Sequence, residues 1–113
     1  MFVIVERMFD IVSPERAATL IANGVAVVDV REPAEWEHGH IPGARLMSLG
    51  TLRTARGKVK GSVLFVCSRG MRSQTAARLA AEHGVRSVYS LAGGMNSWVN
   101  AGLPVTTELS VAV

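Results

Sequence analysis

The segment Ser62-Val-Leu-Phe-Val-Cys67-Ser-Arg-Gly-Met-Arg-Ser-Gln-Thr-Ala-Ala-Arg-Leu-Ala-Ala-Glu-His-Gly84 decides the fold. Val63 to Val66 is an unbroken run of β-branched, aromatic and aliphatic residues, the pattern of a strand buried on both faces of a parallel sheet. From Ser73 onward Ala76, Ala77, Leu79, Ala80 and Val85 recur at helical spacing, and Gly84 stands where a helix stops with φ > 0. The pattern therefore predicts a strand, a short loop opened by Cys67, and a helix starting at Arg72 or Ser73. Such a loop directs backbone N–H groups and the positive end of a helix dipole at whatever the sulfur holds.

Cys67 is the only cysteine. Isolated cysteines are commonly small buried hydrophobes, but Arg69, Gly70 and Arg72 crowd this one, and core packing gives no reason for them. Guanidinium groups and a helix N-terminus favour a thiolate, the nucleophilic form of the side chain. Gly70 is free to take the left-handed conformation that lets successive amides converge on one anionic atom. The loop reads as an anion cradle around a reactive sulfur.

Working outward, the chain alternates helices and strands without an internal repeat. Ser13-Pro14-Glu15 opens a helix with a hydroxyl N-cap, a first-turn proline and an acid against the dipole; Asn23-Gly24 closes it. Val25 to Val30 reads as a second buried strand, with Asp29 and Arg31 at its C-terminal rim, where open α/β sheets place their sites. Both are read as supporting rim residues, an ion pair tying this loop to the helix of Glu35 and Glu37. Pro33 to Glu37 is a short helix anchored by Trp36 and Ile41. His38 and His40 flank Gly39 with no acid or cysteine at ligand spacing, so they read as turn residues and no metal site is expected. A brief strand follows near Arg45 to Met47, then a partly helical, mobile connector over Ser48 to Gly61. Val85 to Leu91 is the last strand. Gly93-Gly94 permit close backbone approach before a helix whose Trp98 reads as core. The pattern is an α/β fold, a parallel sheet covered on both faces.

At 113 residues the chain fits one domain that buries roughly two-thirds of its unfolded surface. A single cysteine excludes an internal disulfide and suits a reducing compartment, and the opening Met-Phe-Val-Ile-Val-Glu-Arg is too short for a leader or membrane span. A cytoplasmic protein is expected, with no membrane partner. The net charge is +3, yet from Gly39 to Ala81 eight Lys or Arg occur with no Asp or Glu. That asymmetry suits anionic substrates or acidic protein partners. The basic stretch from Arg53 to Lys60 has no aromatic residue on which a base could stack, which argues against nucleic acid.

Cys67-Ser-Arg-Gly-Met-Arg72-Ser73 resembles the active-site loop of rhodanese-type sulfurtransferases, a Cys-x-x-Gly-x-Arg pattern. Asp29-Val-Arg31-Glu32, the run from Glu35-Trp36 through His40-Ile41-Pro42-Gly43-Ala44, and Leu91-Ala-Gly93-Gly94-Met-Asn-Ser-Trp98 are similar to that family's other signatures, in its order and spacing. The resemblance covers residues 9 to 106, leaving 1–8 as an N-terminal extension and 107–113 as a C-terminal tail. It implies a five-stranded, mostly parallel rhodanese-like domain with helices on both faces, and transfer of a sulfane sulfur through a Cys67 persulfide. Backbone N–H groups from Ser68 to Ser73 would hold the terminal sulfur, with Arg69 and Arg72 neutralising the donor and its leaving anion. The donor is then a small anion such as thiosulfate or a persulfide, and the acceptor cyanide, a thiol or a partner protein; no cofactor is implied. Met71 and Ser68 replace the small polar and basic residues of commoner loops, which lowers the affinity expected for thiosulfate and offers an apolar lip at Met71. The rival readings are a non-catalytic interaction or sulfur-carrier module and a phosphatase or arsenate reductase, whose related loops run Cys-x5-Arg.

Overall fold

A computed structural model describes residues 8–55 and 59–108. Residues 1–7 and 109–113, most of the expected extension and tail, and residues 56–58 of the expected connector lie outside the described residues.

β4 (Ser62–Val66) lies at the centre of a five-stranded sheet, paired in parallel with β2 (Ala26–Asp29) on one side and β5 (Ser87–Leu91) on the other. Beyond β5 lies β1 (Asp10–Val12), and beyond β2 lies β3 (Arg45–Leu46), giving the order β1-β5-β4-β2-β3. Every pairing in this sheet is parallel, so the strands need crossovers, and helices supply most of them. α1 (Pro14–Ala22) leads from β1 to β2, α2 (Pro33–Glu37) from β2 toward β3, α3 (Leu49–Ala55) from β3 toward β4, and α4 (Met71–Glu82) from β4 to β5; α5 (Gly94–Asn100) follows the last strand.

The unbroken apolar run of β4 serves two cores at once. Val63, Phe65 and Cys67 join one cluster with Val28, Leu52, Ala76, Ala77 and Ala80. Leu64 and Val66 face the opposite cluster with Ala17, Trp36, Leu91, Met95 and Trp98. Strand periodicity makes this unavoidable, because successive side chains leave opposite faces. Cys67 therefore continues the face covered by α3 and α4. All five residues from Val63 to Cys67 are at most 1% exposed.

Element ends follow the local chemistry. The Ser13 side chain caps α1 by accepting from the Arg16 N–H at 3.2 Å, with Pro14 in the first turn. α4 begins at Met71, one or two residues earlier than the expected start at Arg72 or Ser73, because Gly70 takes φ 99° and turns the chain directly into the helix. The strands are shorter than their apolar runs: β2 ends at Asp29 and β3 at Leu46. Beyond them, single hydrogen bonds continue the ladder, from the Val30 N–H to the Val66 carbonyl and from the Met47 N–H to the Asp29 carbonyl, both at 2.9 Å. Connections diverge at the β2/β4 boundary, since β2 leads outward to β3 and β4 leads the other way to β5. The crevice at the C-terminal ends of such strands is where doubly wound sheets bind ligands. Asp29 and Cys67 stand at that boundary.

Candidate active site

Cys67 leaves the end of β4 as a residue 1% exposed, its sulfur surrounded by donors. The Gly70 N–H points at Sγ from 3.1 Å and the Ser73 N–H from 3.3 Å. The Ser73 Oγ lies 3.4 Å from Sγ, accepting from the thiol; toward a thiolate the same hydroxyl becomes the donor. Ser73 Oγ also shares a 2.8 Å hydrogen bond with Ser90 Oγ of β5, and both serines are fully buried.

The opening of the loop is clamped from behind by α5. The Met95 N–H donates to the Cys67 carbonyl at 2.8 Å and the Asn96 N–H to the Ser68 carbonyl at 3.1 Å. Across a trans peptide the N–H opposes the C=O, so these two bonds turn the Ser68 and Arg69 N–H groups away from α5. The approach requires glycine. A Cβ on Gly94 would stand 2.3 Å from the Cys67 carbonyl oxygen, and one on Gly93 would meet the Ser97 side chain.

At the mouth, a pocket of about 420 Å³ is lined by Glu35, Cys67, Ser68, Arg69, Met71 and Arg72. Met71 is 75% exposed on its lip, and Arg69 is exposed with no ion pair among the described residues. Arg72 stands differently from the free cation expected of it. Its guanidinium grips Glu35 of α2 with two parallel bonds of 2.7 Å, and the Ser68 hydroxyl donates to the same carboxylate at 2.8 Å. These bonds, Arg72 foremost, lower the Glu35 pKa to about 2 against the opposing effect of burial, and the carboxylate in turn raises that of Arg72.

Asp29 and Arg31 form a buried ion pair at 2.8 Å, 1% and 5% exposed. Arg31 reaches the α2 segment through backbone, donating to the Gly39 carbonyl at 2.8 Å and the Glu35 carbonyl at 3.4 Å, rather than through the carboxylates of Glu35 or Glu37. The pair thus fixes the turn that carries Glu35 to the loop. His38 is exposed and its Nδ1 donates to the Ala34 carbonyl at 2.7 Å. His40 is more than a turn residue: it is buried, stacked on Trp36 with ring centroids 3.4 Å apart, and its backbone exchanges two 2.9 Å hydrogen bonds with Thr106.

Two residues at this site escape a reading of the sequence. Glu35 belongs to the loop through contacts 33 and 37 residues away in the chain, for which no local pattern exists. Ser90 did leave a signal, a hydroxyl at the C-terminal end of a strand beside Leu91, since a buried strand polar group needs a partner.

The fold and the loop define a class: an α/β domain with one cysteine cradled between its central strand and the following helix. Residues 13–101 match the Rhodanese-like domain family, and the chain belongs to that family. It is similar to the thiosulfate sulfurtransferase GlpE of Ectopseudomonas mendocina, 36% identical over 92 residues that span 80% of this chain and 84% of that protein. Among solved structures it resembles a rhodanese-related protein of Thermoplasma volcanium (TM-score 0.82, 25% identity, 88% of this chain and all of that one). It also resembles a Rhodopseudomonas palustris protein of unknown function described as a possible tyrosine phosphatase (TM-score 0.75, 26% identity, 94% and 98%).

Proposed function

We propose that the chain is a sulfurtransferase that carries a sulfane sulfur on Cys67. The observation that carries this reading is the buried Sγ receiving N–H groups from Gly70 and Ser73 inside a loop with four residues between Cys67 and Arg72. The Cys67 thiolate attacks the outer sulfur of thiosulfate or a persulfide donor. A new S–S bond forms, the donor's S–S bond breaks, and its electron pair leaves on sulfite or a thiolate. The terminal persulfide sulfur keeps the negative charge, facing the loop amides from Ser68 to Ser73 and the exposed cation of Arg69. Donors aimed at developing charge in a dry pocket are worth about 3 kcal/mol each, so the backbone outweighs any one side chain. Cyanide, a thiol or a partner protein then attacks the outer sulfur and returns Cys67 to the thiolate. With no second cysteine in the sequence, the acceptor comes from outside the chain. Among the described residues no helix is long and apolar enough to cross a membrane, and a lone reactive thiol suits the reducing cytoplasm.

The similarity to a possible tyrosine phosphatase keeps phosphate-monoester hydrolysis as the second reading. Against it stand the short loop and the engagement of Arg72 by Glu35, which occupies the end-on fork of the guanidinium that a tetrahedral phosphate would otherwise take. A docking or carrier module is the third reading. Intact mass and turnover after incubation with thiosulfate separate them: a phosphatase or docking module gains no sulfur, a carrier gains one without repeated turnover, and a transferase gains one, removed by cyanide over many cycles, while Cys67→Ser gains none and keeps its fold. Wild-type thiosulfate:cyanide turnover in Cys67→Ser would overturn the mechanism.

A further inference from the structure

Of the two guanidinium groups that line the mouth, only Arg69 is unpaired among the described residues. Arg72 turns the end-on fork of its two terminal nitrogens to Glu35, in the bidentate geometry that carboxylates and sulfonate-like anions share. Ser68, the other polar side chain at the lip, donates to Glu35 as well. The pocket therefore contains a fixed carboxylate beside the nucleophile, and that carboxylate stays ionised throughout the neutral range. Once Cys67 is a thiolate, the formal charges of Glu35, Cys67, Arg69 and Arg72 cancel. A dianion approaching such a mouth gains no net attraction, and it must either displace Glu35 from Arg72 or lie beside it, like charge against like. A donor with one negative charge or none avoids most of that cost.

Resting on the transferase reading above, we propose that Glu35 sets the donor class: by holding Arg72 and Ser68 it withholds the guanidinium from the substrate and selects sulfane donors of low charge, such as organic persulfides and thiosulfonates, over dianions such as thiosulfate. Glu35 acts here as a specificity-determining residue and takes no part in bond making. The contact is also specific to one geometry, because Pro33 and the Glu32–Glu35 capping box fix the α2 turn that presents it, and Arg31 pins the same turn from below.

Thiosulfate and methanethiosulfonate test the idea as a matched pair. Both deliver an outer sulfur to a thiolate, one releasing sulfite and the other methanesulfinate, and they differ by one negative charge. Glu35→Gln keeps the shape and an oxygen acceptor for Arg72 while removing the charge. The ratio of kcat/KM for thiosulfate to that for methanethiosulfonate should rise about tenfold in this variant, equivalent to about 1.4 kcal/mol, and the rise should shrink as salt is added. An unchanged or lower ratio overturns the proposal. The wild-type protein gives an independent arm: relative to the rates of the two donors with a small free thiol, it should favour the monoanion about tenfold, and equal or reversed preference overturns the proposal whether or not the variant folds. If neither donor leaves sulfur on Cys67, the transferase reading itself fails and the donor selection with it.

Discussion

Ser73 does two jobs with one side chain, touching the Cys67 sulfur and the Ser90 hydroxyl in a place water does not reach. Ser73→Ala should therefore destabilise the fold by about 1–3 kcal/mol, because it strands a buried hydroxyl on Ser90. Adding Ser90→Ala should recover part of that loss. Urea unfolding of both single variants and the double variant checks it; strictly additive losses would mean the two hydroxyls do not act as a pair. Glu35 gives a second residue-level expectation. Its folded pKa of about 2 lies below the ordinary carboxylate value of 4.5, so its contribution to stability is complete above that value and disappears as pH falls toward 2. The drop in Tm between pH 5 and pH 2 should be smaller in Glu35→Gln than in the wild type, and an equal drop would show that the Arg72 pair contributes nothing to the fold. The placement of Cys67, Arg69 and Gly70 in one loop was legible because they are near neighbours in the chain, between an apolar strand and a helix. Glu35 was not, because a carboxylate on a short surface helix looks the same whether it faces water or an arginine 37 residues away.

Elements explain why the loop holds its shape. The loop between β4 and α4 has few internal bonds and takes its form from α5, whose first N–H groups grip two of its carbonyls. Gly94→Ala should break this grip, since the added methyl meets the Cys67 carbonyl at 2.3 Å on a residue with φ 58°. A displacement of about 1 Å costs roughly 100-fold in rate. Sulfur transfer should fall by at least that factor, measured as thiosulfate:cyanide turnover, and turnover near wild type in a folded variant would show that α5 does not shape the cradle. The paired glycines were readable as a close approach. What they approach was not, because the sequence names the residue without a side chain but not the backbone that fills the space. The helices and four of the strands were legible, β2, β3 and β5 being shorter than their apolar runs because hydrophobic packing extends past the last ladder pair; β1 (Asp10–Val12) was not, since only Val12 of its three residues is buried and no apolar run announces it.

At the scale of the molecule, one sheet separates two apolar layers. Phe65 belongs to the layer under α3 and α4, whereas both tryptophans, Trp36 and Trp98, lie in the opposite layer. Phe65→Ala should cost about 3–5 kcal/mol, a large part of the 5–15 kcal/mol that a domain of this size typically has. Tryptophan fluorescence should report the same lowered midpoint as far-UV circular dichroism, because the layers share β4 and unfold as one unit. Separate midpoints would divide the molecule at its sheet. The two-layer plan was readable from the uninterrupted apolar strands, which admit only a sheet covered twice. The strand order is a matter of long-range pairing that no local pattern carries. That order also has a consequence in time. A ribosome releases β1 first, yet β1 finds its place only beside β5, and the bonds that close the loop around the sulfur come from Met95 and Asn96. During synthesis, at about 5–20 residues per second, Cys67 emerges well before the segment that completes its surroundings. For that interval the loop around the nascent thiol lacks its clamp, and the cradle is complete only once Met95 and Asn96 have joined the chain.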